Sequence, residues 1–268
     1  MDSLLSALSA VFYALFLIVS VYIYASLLRQ ISSRLPDLAP VQRREFGLPE
    51  AFLASFLAFF FLLTIGGSSP RDVPRIDDRH LIASTAIILG LVLALAGFLR
   101  LRRFNLDSLG GFSKIGFFRT AITAAVLIFF AYPIIMLADI VTQRFLRGPP
   151  DQQAILEMFN GSGTLQQRVL IIFLAVAIAP VAEEFIFRFF LYGVARRYFG
   201  KVAAVIVSAL LFAAVHGHLP SFGPLVVLGS CLAIAYEWSG SILVPMTMHA
   251  LFNAVTLTAL AFPNRFQQ

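Results

Sequence analysis

Eight apolar runs constrain this chain more than any other feature. A membrane-crossing helix needs about 20 consecutive, mostly apolar residues. The runs cover roughly Leu4–Leu28, Leu48–Ile65, Leu81–Leu99, Thr120–Val141, Val169–Val194, Val202–Gly217, Pro224–Trp238 and Ile242–Phe262. The sixth and seventh are short, which suggests tilt or a helix that stops inside the protein. Pro133 and Pro245 lie inside runs and are candidate kinks. Charged residues are only 13% of the chain and hydrophobic ones 59%. A soluble domain carries about 25% charge, so this chain cannot cover a water-facing surface. The expected fold is all-α, a polytopic bundle of about eight transmembrane helices. The 20 basic residues are scattered between runs rather than gathered on one element, which argues against a nucleic-acid partner. The single cysteine, Cys231, excludes intrachain disulfides and multi-cysteine metal sites.

Basic residues also indicate sidedness. Twelve fall in the first, third and fifth loops, from Arg29, Arg34, Arg43 and Arg44 through Arg100–Arg119 to Arg196, Arg197 and Lys201. Seven fall in the second and fourth loops and the tail: Arg71, Arg75, Arg79, Arg144, Arg147, Arg168 and Arg265. The expectation is cytoplasmic odd loops and outer-side termini, in a prokaryotic cell membrane. The first run follows Asp2 and no basic residue, unlike a cleavable signal peptide. The longest irregular stretch, Thr142–Gln167, holds Gly148-Pro149-Pro150 and Asn160-Gly161-Ser162-Gly163. It separates N-terminal helices without a motif (1–168) from a core with chemistry (169–262) and a short tail (263–268).

Ionisable residues inside a span are costly, so each is a functional hypothesis. Three groups stand out. Glu183 and Glu184 lie side by side in an apolar run, with Arg188 four residues after Glu184. That spacing puts Glu184 and Arg188 on one helical face, where they can pair. Glu183 lies about 100° around the helix, without that partner, and is suited to take a proton from water. A structural salt bridge explains Glu184 with Arg188 but leaves Glu183 unexplained. His216 ends the sixth run, and His249 and Asn253 share a face of the eighth. Alone, each reads as an interfacial histidine or a helix-linking polar pair. Counted at about 1.5 Å per residue from the odd-loop face, Glu184 lies about 20 Å deep, His216 about 22 Å and His249 about 12 Å or more. All three groups can therefore meet inside the membrane.

In order and in apolar helices, Glu183-Glu184-x-x-x-Arg188, Phe212-x-x-x-His216 and His249-x-x-x-Asn253 resemble the three motifs of the CAAX-protease and bacteriocin-processing family of intramembrane proteases. The stretch Gly229 to Gly240 resembles that family's segment between the second and third motifs. The resemblance covers Val169–Phe262. It implies peptide-bond hydrolysis in the membrane, on a membrane-associated substrate, prenylated CAAX-type or bacteriocin-like. By position, Glu183 and His216 would activate water, His249 and Asn253 would stabilise the oxyanion, and Glu184 and Arg188 would hold the site in shape. Family members are classed as metalloproteases. His216, His249 and a glutamate, Glu184, would then be the ligands of a zinc ion, which normally takes three protein ligands and a water. No HExxH helix is present, and a metal-free glutamate mechanism is equally open. Two other readings remain: a proton-coupled transporter with Glu, Arg and His as a relay, and a catalytically silent immunity or scaffold protein on the same fold.

Other polar and aromatic residues read as structural. Asp139 and Glu237 with Trp238 suit helix ends at the interface, as do Tyr192 and Tyr198. Cys231 is a small core residue. The stripe Phe185, Phe187, Phe189 and Phe190 suits lipid or helix contact rather than a prenyl pocket. The cluster Arg100, Arg102 and Arg103 is a candidate contact for anionic lipid.

Overall fold

Every regular element in the computed structural model is helical, as the apolar runs require; the model describes residues 2–34, 45–67, 78–146 and 164–261. The first half holds α1 (Asp2–Ser33), α2 (Leu48–Gly67), α3 (Asp78–Leu101), the short α4 (Leu106–Gly110) and α5 (Phe117–Leu146). The second half is one long helical run from Leu165 to Val215, then α9 (Phe222–Ser239) and α10 (Leu243–Ala261). Arg43, Arg44, Arg71, Arg75, Arg147 and Arg265, both glycine-bearing motifs of the long loop and the tail 263–268 lie outside the described residues.

The Leu165–Val215 run has 51 residues. At 1.5 Å per residue that is about 76 Å, far more than the ~30 Å hydrocarbon core. The chain turns back at Gly200, whose φ of 79° and ψ of 173° break the helix. Residues 165–199 and 201–215 are thus two antiparallel spans, joined where Ser208 donates to the Phe187 carbonyl and Phe187 meets the Phe212 ring edge-on. The run divides into α6 (Leu165–Phe173), a wide π turn (Leu174–Ile178), α7 (Ala179–Glu184), a second π segment (Phe185–Tyr192) and α8 (Gly193–Val215). The sixth span is short because it stops at His216, followed by Gly217 at positive φ. Pro245 does not kink α10. It falls in the first turn after Leu243, where a backbone N–H has no helical acceptor anyway.

Apolar side chains face outward on the first five helices, for example Phe12, Phe52, Ile87 and Phe118, all more than 70% exposed. A surface of this kind suits hydrocarbon. The packed interior belongs to the second half. Phe185, Phe187, Phe189, Phe190 and Tyr192 are all buried, so the phenylalanine stripe meets helices rather than lipid. Tyr192 likewise lies inside, not at the interface, with its hydroxyl donating to Glu237.

The odd loops gather on one face. Arg34 donates to the Glu237 and Trp238 carbonyls, Lys201 to those of Ile31 and Arg34, and Trp238 to Gln30. Arg196 pairs with Glu237 and Arg102 with buried Glu50. Arg102 is therefore engaged by protein rather than lying free for lipid. In each pair the carboxylate is closed off and the arginine reaches solvent; their role here is to hold loop ends in register. α4 docks on the same face: Ile242 donates to the Gly110 carbonyl and Tyr236 to that of Leu109. Gly111, with φ of 61°, makes this close approach, because a Cβ there would run into the Gly240 carbonyl oxygen. Left-handed backbone alone costs a non-glycine residue about 1–2 kcal/mol. Gly111→Ala is expected to lower stability by about 2 kcal/mol or more, read as a lower unfolding midpoint in detergent; an unchanged midpoint would contradict this docking.

Candidate active site

The sequence motifs converge inside the second half of the bundle. Arg188 is fully buried, and its Nη1 donates to Glu184 Oε1 at 2.8 Å. Its Nη2 donates to the Gly229 carbonyl at 3.2 Å, and its guanidinium sits 4.2 Å from the centre of the Phe212 ring. Gly229 allows a close approach here, since a Cβ would lie 3.1 Å from the Ala209 Cα and 3.3 Å from the Arg188 guanidinium. Two charges out of water need good geometry and further hydrogen bonds to offset desolvation; the geometry is close, and Gly229 adds a bond, but Glu184 Oε2 and Arg188 Nε are buried without a hydrogen-bond partner.

Glu184 Oε1 has a second donor, the Nδ1 of His249 at 3.0 Å. A carboxylate accepts, so the His249 proton sits on Nδ1 and Nε2 faces away from Glu184. His216 is fixed in the same sense: its Nδ1 lies 2.7 Å from the Phe212 carbonyl, which can only accept. Phe212 also touches both imidazole rings, with centroids 4.7 Å from His216 and 5.6 Å from His249. It is thus the hub of the site, marked in the sequence only by its place four residues before His216.

Glu183 completes the cluster. Its Oε2 lies 3.9 Å from the Nε2 of His216 and 3.9 Å from the Nε2 of His249. That atom is buried and has no hydrogen-bond partner. A gap of 3.9 Å exceeds a direct hydrogen bond and has the span at which a water bridges two polar groups. The Glu183 and His216 side chains are each 23% exposed, while His249 and Glu184 are closed off. The site therefore opens on the Glu183–His216 side.

Asn253 is held by an irregularity the motifs do not reveal. In the wide turn Leu174–Ile178 the Ala179 N–H bonds to the Leu174 carbonyl, five residues back. In that register the next carbonyl, that of Ala175, would need the N–H of residue 180. Residue 180 is proline and has none. Asn253 Nδ2 supplies the missing donor at 2.8 Å. One amide hydrogen is spent there, and the second remains. Wide turns of this type concentrate at functional sites.

Glu184, expected among the zinc ligands, instead spends Oε1 on Arg188 and His249. The glutamate that faces both imidazole Nε2 atoms is Glu183. One carboxylate and two imidazoles form a zinc-type donor set. Yet no group of three or more His, Cys, Asp or Glu among the described residues is placed to hold a metal ion. The residues as arranged do not fit a preformed metal centre.

A lipid-facing helical bundle with a carboxylate opposed to two oriented imidazoles defines a polytopic membrane protein with an interior cluster of ionisable side chains. Residues 165–255, which carry all three motifs, match the family described as type II CAAX prenyl endopeptidase Rce1-like. This third of the chain is thus similar to that family. The chain is also 36% identical over 96 residues to the uncharacterized protein YpbD of Bacillus subtilis, covering 34% of this chain and 46% of that relative. The chain thus spans about half the length of the curated relative it matches. No solved structure matches.

Proposed function

We propose that the protein is an intramembrane endopeptidase acting on a membrane-associated peptide, with prenylated CAAX-type ends and bacteriocin-like peptides as substrate classes. The observation that carries this reading is Glu183 Oε2, buried, without a partner, and 3.9 Å from two imidazole nitrogens. A structural salt bridge needs Glu184 and Arg188 but gives Glu183 no task. The Rce1-like match of the segment supports the same chemistry.

The reaction follows from the donors and acceptors. A water between Glu183 Oε2 and His216 Nε2 gives one hydrogen bond to each. Its oxygen attacks the peptide carbonyl carbon as its proton passes to Glu183. Negative charge then builds on the carbonyl oxygen. The free amide hydrogen of Asn253 and a protonated His249 Nε2 are the donors for it. Glu184 supports the His249 cation through Nδ1, and Arg188 holds Glu184 in place. The proton on Glu183 moves to the leaving nitrogen as the C–N bond breaks, which restores the carboxylate. The same reading places the odd loops in the cytoplasm of a prokaryote, supported by their twelve basic residues against seven elsewhere.

The test is cleavage in proteoliposomes of prenylated and unmodified peptides, with products read by mass spectrometry and Glu183→Ala as the paired variant. Flux of a small solute without cleavage would favour a transporter instead. Because the arrangement routes water through Glu183, cleavage is expected to survive chelation in protein shown metal-free by elemental analysis. Activity lost on chelation and restored by zinc would overturn the metal-free route.

A further inference from the structure

Away from the acid–base site, on the odd-loop face, a cavity of about 390 Å³ lies between the end of α1, the start of α5 and the end of α9. Arg34, Lys114, Arg119, Ile122, Thr123 and Trp238 are among the residues that line it. Three of these are cations. The side chains of Lys114 and Arg119 have no hydrogen-bond or ion-pair partner among the described residues, and both are exposed. The Glu237 carboxylate, one residue before Trp238, is shared by Arg196 and Tyr192. The walls are held: Arg34 by the Glu237 and Trp238 carbonyls, the Trp238 indole by Gln30, and Lys114 by lying across Gly240. Below Arg119 the outward face of α5 turns apolar, with Ile122 64%, Val126 49% and Phe129 56% exposed.

We propose that this cavity binds the phosphate of an anionic phospholipid, with the acyl chains lying along Ile122 and Val126. The argument is one of matched chemistry. Uncompensated cations attract an anion, and their position at the ends of membrane helices puts it at headgroup depth. Tryptophan and tyrosine favour the same level. The exposed apolar strip beneath suits hydrocarbon tails, which a free phosphate does not have. Arg100–Arg103 is the more basic stretch in sequence, but its Arg102 is tied to Glu50, so the lipid site lies where sequence density does not point. This site is independent of the peptidase reading.

The test uses delipidated protein titrated in detergent with dioleoyl phosphatidylglycerol, dioleoyl phosphatidylcholine or inorganic phosphate, read by native mass spectrometry. Phosphatidylglycerol is expected to bind and phosphatidylcholine to compete poorly. The double variant Lys114→Gln/Arg119→Gln is expected to weaken phosphatidylglycerol about thirtyfold, from about fivefold per basic residue near a charged surface. Arg144→Gln, at the opposite end of α5, is expected to change nothing. Equal binding of both lipids, or full binding by the double variant with an unchanged unfolding midpoint, would overturn the proposal. Inorganic phosphate binding as tightly as phosphatidylglycerol would overturn the lipid assignment and leave a free-anion site.

Discussion

Glu183→Gln is expected to slow peptide cleavage by about 10²–10⁴-fold, the usual contribution of a positioned general base. The amide keeps the size of the carboxylate but cannot take a proton from water at neutral pH. The loss should fall on kcat with little change in KM, because Glu183 meets the water rather than the substrate's side chains. Stability should move the other way. Glu183 Oε2 is a buried polar atom without a partner, and an unpaired buried group costs about 1–3 kcal/mol. Glu183→Gln or Glu183→Ala should therefore unfold at the same temperature or higher. Loss of activity with retained or increased stability marks a residue kept for chemistry. A fully active Glu183→Ala protein would sink the peptidase mechanism, and an inactive but unfolded one would return Glu183 to a structural role.

Much of the cluster was legible because helical spacing is a local property. Glu184 and Arg188 are four apart, so their pairing follows from the helix alone, even where the second half of that interval enters a wide turn. Glu183 falls out of phase with that pair for the same reason. Counting depth from the basic loops puts Glu184 and His216 at a common level and His249 within the membrane. What escaped the sequence depends on neighbours or on hydrogen-bond register. The link from Asn253 to Ala175 exists because Pro180 lacks the N–H that a wide turn would call on; apolar patterning carries no sign of a wide turn. Gly229 looks like any small residue until Ala209 and the Arg188 guanidinium close on it. The zinc set named from the resemblance chose Glu184. Only the side-chain directions separate a glutamate spent on Arg188 from one facing both imidazoles.

The fold shows the same division. Apolar length and the loops between runs give the spans, and a single backbone angle at Gly200 divides the 51-residue helical stretch into two of them. Phenylalanine in this chain does not report its surroundings. Phe129 faces outward and Phe189 is fully packed, yet both sit in apolar runs. In a membrane protein lipid and core have similar polarity, so hydrophobicity marks the span but not its inner face. The odd-loop network explains why charged residues survive at those helix ends: Arg34, Arg196 and Lys201 join loops that are far apart in the chain.

Arg188→Leu is expected to lower stability by about 3–5 kcal/mol, the cost of leaving one member of a buried pair without the other. Glu184 would remain inside the bundle with only the His249 N–H, and the Gly229 carbonyl would lose its donor. Cleavage should fall as well, but an inactive protein that unfolds easily says nothing about chemistry. A second variant separates the two. Replacing both members, Glu184→Leu with Arg188→Met, removes both buried charges together, and apolar replacement of such pairs is often neutral or stabilising. The double variant should recover most of the unfolding midpoint lost by Arg188→Leu. It should not recover cleavage, because His249 Nδ1 would have no carboxylate to fix its tautomer or support its cation. A closed cycle of Glu184→Leu, Arg188→Met and the double variant would then show a large coupling energy for stability, while cleavage stays low in all three. If the double variant regains activity together with stability, Glu184 and Arg188 only dock helices, and the orientation of His249 has to come from its packing on Phe212.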